Sequence, residues 1–141
     1  MQATLAAAAV QPRPWAARVV EAIDSLLGFA AEEPEQAAAI LTPYLRDCSD
    51  EEACRYRDLI AGISSLLREG RDEDRGGEAL PASNEQALAG AIGYLIGERL
   101  RAGEGKRLGE LGPQLVEFVL APYLGPGEAR RWAARSQGGR T

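Results

Sequence analysis

The sequence contains no histidine and only two cysteines among its 141 residues. Because histidine is the commonest general base and the commonest metal ligand, its absence removes the usual basis for acid–base catalysis and transition-metal binding. Cys48 and Cys54 are spaced neither as a zinc knuckle nor as a thioredoxin-like pair, and we predict that both are small, buried or half-buried side chains. We therefore expect no enzyme activity, no metal and no cofactor.

Excess positive charge, long apolar segments and phosphate-binding motifs are also missing. The net charge is −5 and the isoelectric point is near 4.9, so the chain alone is a poor candidate for nucleic-acid binding. No apolar run is long enough to cross a membrane, and Met1 is not followed by the positive start of a secretory signal. Ser64, in the sequence GISSL, lies inside a predicted amphipathic helix and not in a nucleophile elbow. We expect a cytoplasmic protein without membrane contact.

The sequence does contain a series of helix-favouring segments separated by proline or glycine, without the alternation typical of strands. We predict an all-α fold of about six helices. The charged segment 70–82 is predicted to be a mobile loop, and Ser83 with Gln86 has the spacing of a capping box at the start of the next helix. The predicted helices span residues 2–10, 15–32, 34–41, 50–67, 83–102 and 113–124.

The last two predicted helices are apolar around nearly their whole circumference over residues 85–101 and 113–124. A helix on the surface of a single domain needs only one apolar stripe, so these two helices require cover on two sides. A second subunit supplies such cover, and the pair from each subunit would form an intersubunit four-helix bundle around a twofold axis. The alternative is that the small residues of these helices fit a tight contact within one subunit.

We assign the dimer interface to nine residues of these two helices. In the helix 85–101, Gly90, Gly93 and Gly97 lie on the side opposite the leucine and isoleucine residues, where a second backbone can approach closely. The nine predicted interface residues are Gly90, Gly93, Tyr94, Gly97, Leu115, Phe118, Val119, Pro122 and Tyr123.

The ordered pattern of helices resembles the C-terminal regulatory domain of TetR-family transcriptional regulators from about Trp15 onward. The match is strongest over the last two segments in their order along the chain. The segments that carry it are PWAARVVEAIDSLLGFAAEEP, the long helix that begins at Asp50, the loop that ends ALP, ALAGAIGYLIGERLRAGEG, and LGELGPQLVEFVLAPYLGPGEA.

The resemblance implies a homodimer and a cavity that accepts a small apolar effector, while DNA is bound through an N-terminal helix-turn-helix domain that this sequence does not contain. On this basis residues 1–12 are the remnant of a connecting helix, 13–125 the regulatory domain and 126–141 a C-terminal tail with at least one helical turn around Trp132. A free-standing helical dimer that binds another protein and no ligand is the alternative. Candidate effector-binding residues, for each of which plain core packing is the alternative, are Phe29, Tyr44, Tyr56, Ile60, Ile63, Leu88 and Ile92.

Overall fold

The computed structural model describes residues 13–42, 50–73 and 80–138, and in this part of the chain every regular element is helical. The prediction of an all-α fold is confirmed. The predicted helix 2–10, Tyr44 and Cys48 lie outside the described residues. The helices are α1 (Trp15–Glu32), α2 (Pro34–Leu41), α3 (Asp50–Arg68), α4 (Asn84–Arg101), α5 (Leu108–Leu124) and α6 (Pro126–Gly138), with short 3-10 turns at Glu69–Glu73 and Gly105–Arg107.

The first helix, α1, is amphipathic and contributes one continuous stripe to the core. Trp15, Val19, Ile23 and Leu27 recur every four residues and are all buried, as the spacing predicts. The helix ends at Glu32, and α2 begins immediately afterwards with Pro34 in its first turn, where a missing backbone N–H has no hydrogen-bonding cost.

Helices α4 and α5 form an antiparallel hairpin. The side chain of Asn84, at the start of α4, donates a 2.9 Å hydrogen bond to the hydroxyl of Tyr123, near the end of α5. Gly103 turns the chain between the helices with φ of 77°, in the left-handed region that glycine favours. The N-cap of α4 is Ser83, as predicted, but its side chain makes no capping hydrogen bond, so the capping box does not form.

The fifth helix begins at Leu108, earlier than the predicted start in front of Pro113. Proline already has a helical φ, and in the second turn of a helix it removes only one backbone hydrogen bond. Leu108 and Leu111 are buried on the core side of the helix, and this burial offsets the lost bond. Tertiary packing therefore extends the helix beyond the limit that the sequence pattern suggests.

The C-terminal segment forms a complete helix, which is longer than the single turn predicted as a minimum. Gly125, with φ of 91°, ends α5 and reverses the chain, and α6 then packs back along α5. Ala129 and Ala133 are buried in this contact. Much of the apolar circumference of α5 is thus covered by α1 and α6 of the same chain, so it does not by itself require a second subunit.

None of the helices in the described ranges is both long enough and apolar enough to cross a membrane.

Candidate functional site

An apolar cavity of about 470 Å³ lies between α1, α3 and α4. Its wall consists of aliphatic side chains, together with Ser25 and Asp58 as its polar side chains. Both of these residues are exposed, as is Gly62, so they mark the opening of the cavity between α1 and α3. The aliphatic wall includes Val19, Ile23, Leu59, Ile63, Leu66 and Ile92.

The cavity exists because α1 and α3 do not pack closely against each other. Leu59, Ile63 and Leu66 of α3 are only half-buried, although they form the apolar stripe of that helix. Gly62 widens the opening further, since a Cβ atom added there would meet no other atom within 4 Å. The apolar face of α3 therefore borders empty space in place of a neighbouring helix.

Two of the predicted effector residues, Ile63 and Ile92, line this cavity. Leu88 is buried in the hydrophobic core, and Phe29 is half-buried and packs against that core without lining the cavity. Val19 and Ile23 of α1 line the cavity but were not among the predicted effector residues, because they have the same helical spacing whether they face a neighbouring side chain or a void.

Tyr56 and Ile60, also predicted effector residues, line a groove between α3 and α4, on a different face of α3 from the cavity. Both residues lie close to Gly93 of α4, where an added Cβ atom would be 3.9 Å from the ring of Tyr56 and 3.7 Å from Ile60 Cδ1. Four of the seven predicted effector residues are thus divided between two separate sites.

A buried carboxylate joins the 3-10 turn Glu69–Glu73 after α3, the start of α4 and the end of α5. Glu85 is completely buried and accepts two hydrogen bonds from the guanidinium of Arg71, each 2.9 Å long. The hydroxyl of Tyr123 donates a third hydrogen bond, of 2.8 Å, to Glu85. Arg71 also donates to the carbonyl oxygens of Pro81 and Leu80, at 2.6 and 3.3 Å. These bonds hold both ends of the segment that was predicted to be a mobile loop, of which residues 74–79 lie outside the description.

The ionisation of this group follows from its hydrogen bonds. Burial by itself raises the pKa of Glu85, but the hydrogen bonds from Arg71 and Tyr123 outweigh it and lower that pKa to about 2. The same contacts raise the pKa of Arg71 through its hydrogen bond to Glu85, while burial and the neighbouring carboxylate raise the pKa of Tyr123. The carboxylate is therefore permanently charged at neutral pH and fully hydrogen-bonded, which is typical of a structural role.

The indole of Trp15 extends this network towards the cavity. Its ring packs edge-on against Tyr123 with the ring centroids 5.0 Å apart, and its Nε1 donates a 2.7 Å hydrogen bond to the carbonyl of Leu66. Gly70 lies directly against the indole, where any side chain would overlap the ring. Since Leu66 also lines the cavity, one end of the cavity wall is fixed in position by this cluster.

Several residues predicted for the dimer interface are covered within one chain. Leu115, Val119 and Tyr123 are each no more than 1% exposed and belong to the core. Gly93 and Gly97 face α2, and a Cβ atom added at Gly97 would be 2.9 Å from Thr42 Cγ2 and 3.1 Å from the carbonyl oxygen of Leu41. These glycines permit a close approach between α4 and α2, which is the alternative of a tight contact within one subunit.

The exposed large apolar side chains of the described residues all lie on the α4–α5 hairpin. Tyr94, Leu95 and Phe118 are 52%, 36% and 48% exposed. Pro122, one helical turn after Phe118, is half-buried, and the two residues line a shallow depression on α5. We call these four residues the hairpin face. Gly90, the remaining predicted interface residue, instead borders the groove that contains Tyr56.

The prediction for Cys54 is wrong, because this cysteine is exposed on α3 with a free thiol. Its position on α3 turns it away from the apolar stripe, which a single helical residue of intermediate hydrophobicity does not reveal. Among the described residues no group of three or more cysteine, aspartate or glutamate side chains is arranged to hold a metal ion.

Comparisons with known proteins found no matching family model, no similar curated protein and no similar solved structure. The fold and the site therefore define the class of protein only by their own features: an all-α bundle with an apolar cavity on one side and an exposed apolar hairpin on another.

Proposed function

We propose that this chain is the small-molecule-sensing and dimerisation domain of a TetR-like transcriptional regulator. In this proposal the effector occupies the cavity between α1, α3 and α4, and operator DNA is contacted by a separate N-terminal helix-turn-helix domain. The observation that carries the proposal is the cavity itself. Its volume of about 470 Å³ falls within the range of about 300–1,000 Å³ that is usual for sites of small organic ligands.

The chemistry of the wall favours an apolar effector. A charged group would lose its hydration on entering a site lined by Val19, Ile23 and Leu59 without gaining a partner there. Ser25 and Asp58, at the opening, are the positions at which a polar end of the ligand can be hydrogen-bonded. The proposed effector is therefore a largely apolar molecule with at most one polar end.

Dimerisation through the hairpin face is the second part of the proposal. The exposed large apolar side chains of the described residues, Tyr94, Leu95 and Phe118, all lie on α4 and α5, and exposed apolar side chains grouped on one part of a protein are typical of an interaction surface. A second copy of the chain, related by a twofold axis, brings the same face against itself and forms a four-helix bundle. Helix α4 takes part in both sites, because Ile92 lines the cavity while Tyr94 and Leu95 belong to the hairpin face. An effector that displaces α4 therefore alters the interface.

Filling the cavity tests the proposal. In Gly62→Leu the new side chain projects into the opening, where an added Cβ atom meets nothing within 4 Å, so the fold is retained. We expect the wild-type protein to bind the neutral apolar dye Nile red and small apolar compounds to displace the dye. Gly62→Leu should bind the dye at least about tenfold more weakly, because the leucine occupies the volume that the ligand needs.

Gly28→Leu is the matched control, since Gly28 lies on α1, outside the cavity, and also has open space around it. It should bind the dye as the wild-type protein does. Equal dye binding by the wild-type protein and Gly62→Leu would contradict the sensor function.

The alternative of a dimeric interaction protein without a ligand is favoured by one observation, the exposure of Tyr94 and Phe118. It predicts that the hairpin face is needed for association but that Gly62→Leu has no functional effect. Both functions predict a dimer in sedimentation, so dye titration of the wild-type protein and Gly62→Leu is the measurement that distinguishes them.

A further inference from the structure

A second groove, of about 520 Å³, lies between α3 and α4, on a different face of α3 from the apolar cavity. Residues that alternate along α3 separate the two sites: Leu59, Ile63 and Leu66 line the cavity, whereas Ile60 and Ser64 line the groove. The sensor function does not use this groove. Its lining is also chemically different, because polar and charged side chains accompany the apolar ones.

Two arginines that form no ion pair with a described residue contribute to the groove. Arg57 and Arg68 make no salt bridge with any described residue, and none of the described residues that line the groove is acidic. Arg55 and Arg71, in the same part of the chain, are paired with carboxylates. Arg57 donates a 3.8 Å hydrogen bond to Cys54 Sγ. In a chain of net charge −5, two guanidinium groups that form no ion pair within the described residues favour an anionic occupant of the groove.

One end of the groove is polar, and the other combines apolar side chains with Arg57. Arg68 ends α3 and Gln86 lies in the first turn of α4, so these two residues mark the end of the groove near the α3–α4 connection, with Ser64 one turn away. Ile60 and the ring of Tyr56 follow towards the other end. Gly90 leaves the middle open, since a Cβ atom added there meets nothing within 4 Å. From Tyr56 to Arg68 the helix rises by about 18 Å, which matches an elongated ligand better than a compact ion.

We propose that this groove binds an elongated amphipathic carboxylate. The carboxylate accepts hydrogen bonds from the guanidinium of Arg68, with Gln86 and Ser64 within the same polar end, and the apolar body of the ligand extends over Gly90 onto Ile60 and Tyr56. Arg57 adds positive potential along the groove. The site is separate from the apolar effector cavity and does not depend on the function proposed for that cavity.

Titration with octanoate, and with the uncharged 1-octanol as a comparison, tests the proposal. We expect octanoate to bind the wild-type protein more tightly than 1-octanol does, and to bind Arg68→Gln about tenfold more weakly, because a hydrogen bond to a charged group is lost. Arg55→Gln removes the same charge from an exposed position of α3 outside the groove, so it should leave octanoate affinity unchanged within about twofold. Equal affinity for octanoate and 1-octanol would overturn the proposal.

Two cavity-filling variants locate the bound octanoate. Gly90→Leu fills the groove and Gly62→Leu fills the effector cavity, and both glycines lie in helices with open space around them. We expect Gly90→Leu to abolish octanoate binding and Gly62→Leu to preserve it. The opposite result would place octanoate in the apolar cavity and overturn the groove assignment, and an equal loss in Arg55→Gln and Arg68→Gln would show that only the overall charge matters. Far-ultraviolet circular dichroism of each variant verifies that the helices are intact.

Discussion

At the scale of single residues, the dominant polar feature is the buried carboxylate of Glu85. It connects α4 to the 3-10 turn through Arg71 and to α5 through Tyr123, while its neighbour Asn84 donates a further hydrogen bond within α4. A buried charge of this kind is maintained only while its partners are present, because removal of one partner leaves the other desolvated. The cluster therefore fixes the geometry of the bundle end more than it adds net stability.

We expect Glu85→Gln to lower the free energy of unfolding at neutral pH by about 3 kcal/mol, because Arg71 and Tyr123 then lose their charged acceptor. The pKa of Glu85 is depressed from 4.5 in the unfolded chain to about 2 in the folded one. Its contribution is therefore complete above pH 4.5 and is lost as the pH falls towards about 2. The difference in stability between the wild-type protein and Glu85→Gln, measured by urea unfolding across this range, should shrink as the pH falls.

Glu51→Gln is the control for this measurement, since Glu51 pairs with Arg55 on the exposed surface of α3. Its effect should stay below about 1 kcal/mol, as is usual for exposed ion pairs. A pH-independent difference between the wild-type protein and Glu85→Gln would contradict the assignment of the depressed pKa to Glu85.

At the scale of elements, the small residues of α4 determine how closely this helix approaches its neighbours. Gly97 contacts Thr42 and the backbone of Leu41 at the end of α2, whereas Gly90, two turns earlier, faces the open groove. The two glycines look alike in the sequence, and each carries the same intrinsic cost in a helix. Only the neighbouring element distinguishes them.

We expect Gly97→Ala to destabilise the protein by about 1–3 kcal/mol, because the added methyl group overlaps Thr42 and the Leu41 carbonyl in a close helix contact. Gly90→Ala should instead stabilise it by about 0.5–1 kcal/mol, since the helix gains propensity and no atom lies in the way. Thermal unfolding of both variants at two protein concentrations provides the measurement. A stabilising Gly97→Ala would show that α4 and α2 can separate without cost.

At the scale of the whole molecule, a single chain already buries the larger part of α5. Helices α1 and α6 bury most of α5, so the second subunit inferred from the apolar circumference is needed only for the hairpin face, and not for Leu115 or Val119. In the proposed dimer, association therefore depends on the exposed side chains of the hairpin face and not on residues of the core.

We expect the wild-type protein to sediment as a dimer at micromolar concentration and Phe118→Glu to sediment as a folded monomer. Phe118 is half exposed in the single chain, so a glutamate at this position lowers the stability of the monomer little. In a twofold interface, however, its charge would be buried without a partner. Ala134→Glu, at an exposed position of α6, is the matched control and should remain dimeric. A wild-type protein that sediments as a strict monomer would contradict the proposed dimer.

The sequence predicted the helices and the buried stripe of α1, but it predicted the candidate site only in part. Of the effector residues, Ile63 and Ile92 line the cavity, whereas Phe29 and Leu88 pack with the core. An apolar residue has the same helical spacing in both environments, so the pattern cannot separate them. The sequence did not predict the ion pair between Glu85 and Arg71 either, because an acidic residue in the first turn of a helix is ordinarily solvated.

The sequence by itself determined the helical fold and the approximate limits of its elements, since periodicity, proline and glycine act over one or two helical turns. The tertiary structure alone decided which apolar residues face a neighbour, a cavity or the exterior. It also decided that the C-terminal segment covers α5 and that Gly97 is needed for a close contact while Gly90 is not. The reason is that these properties depend on distances between helices that are remote in the chain.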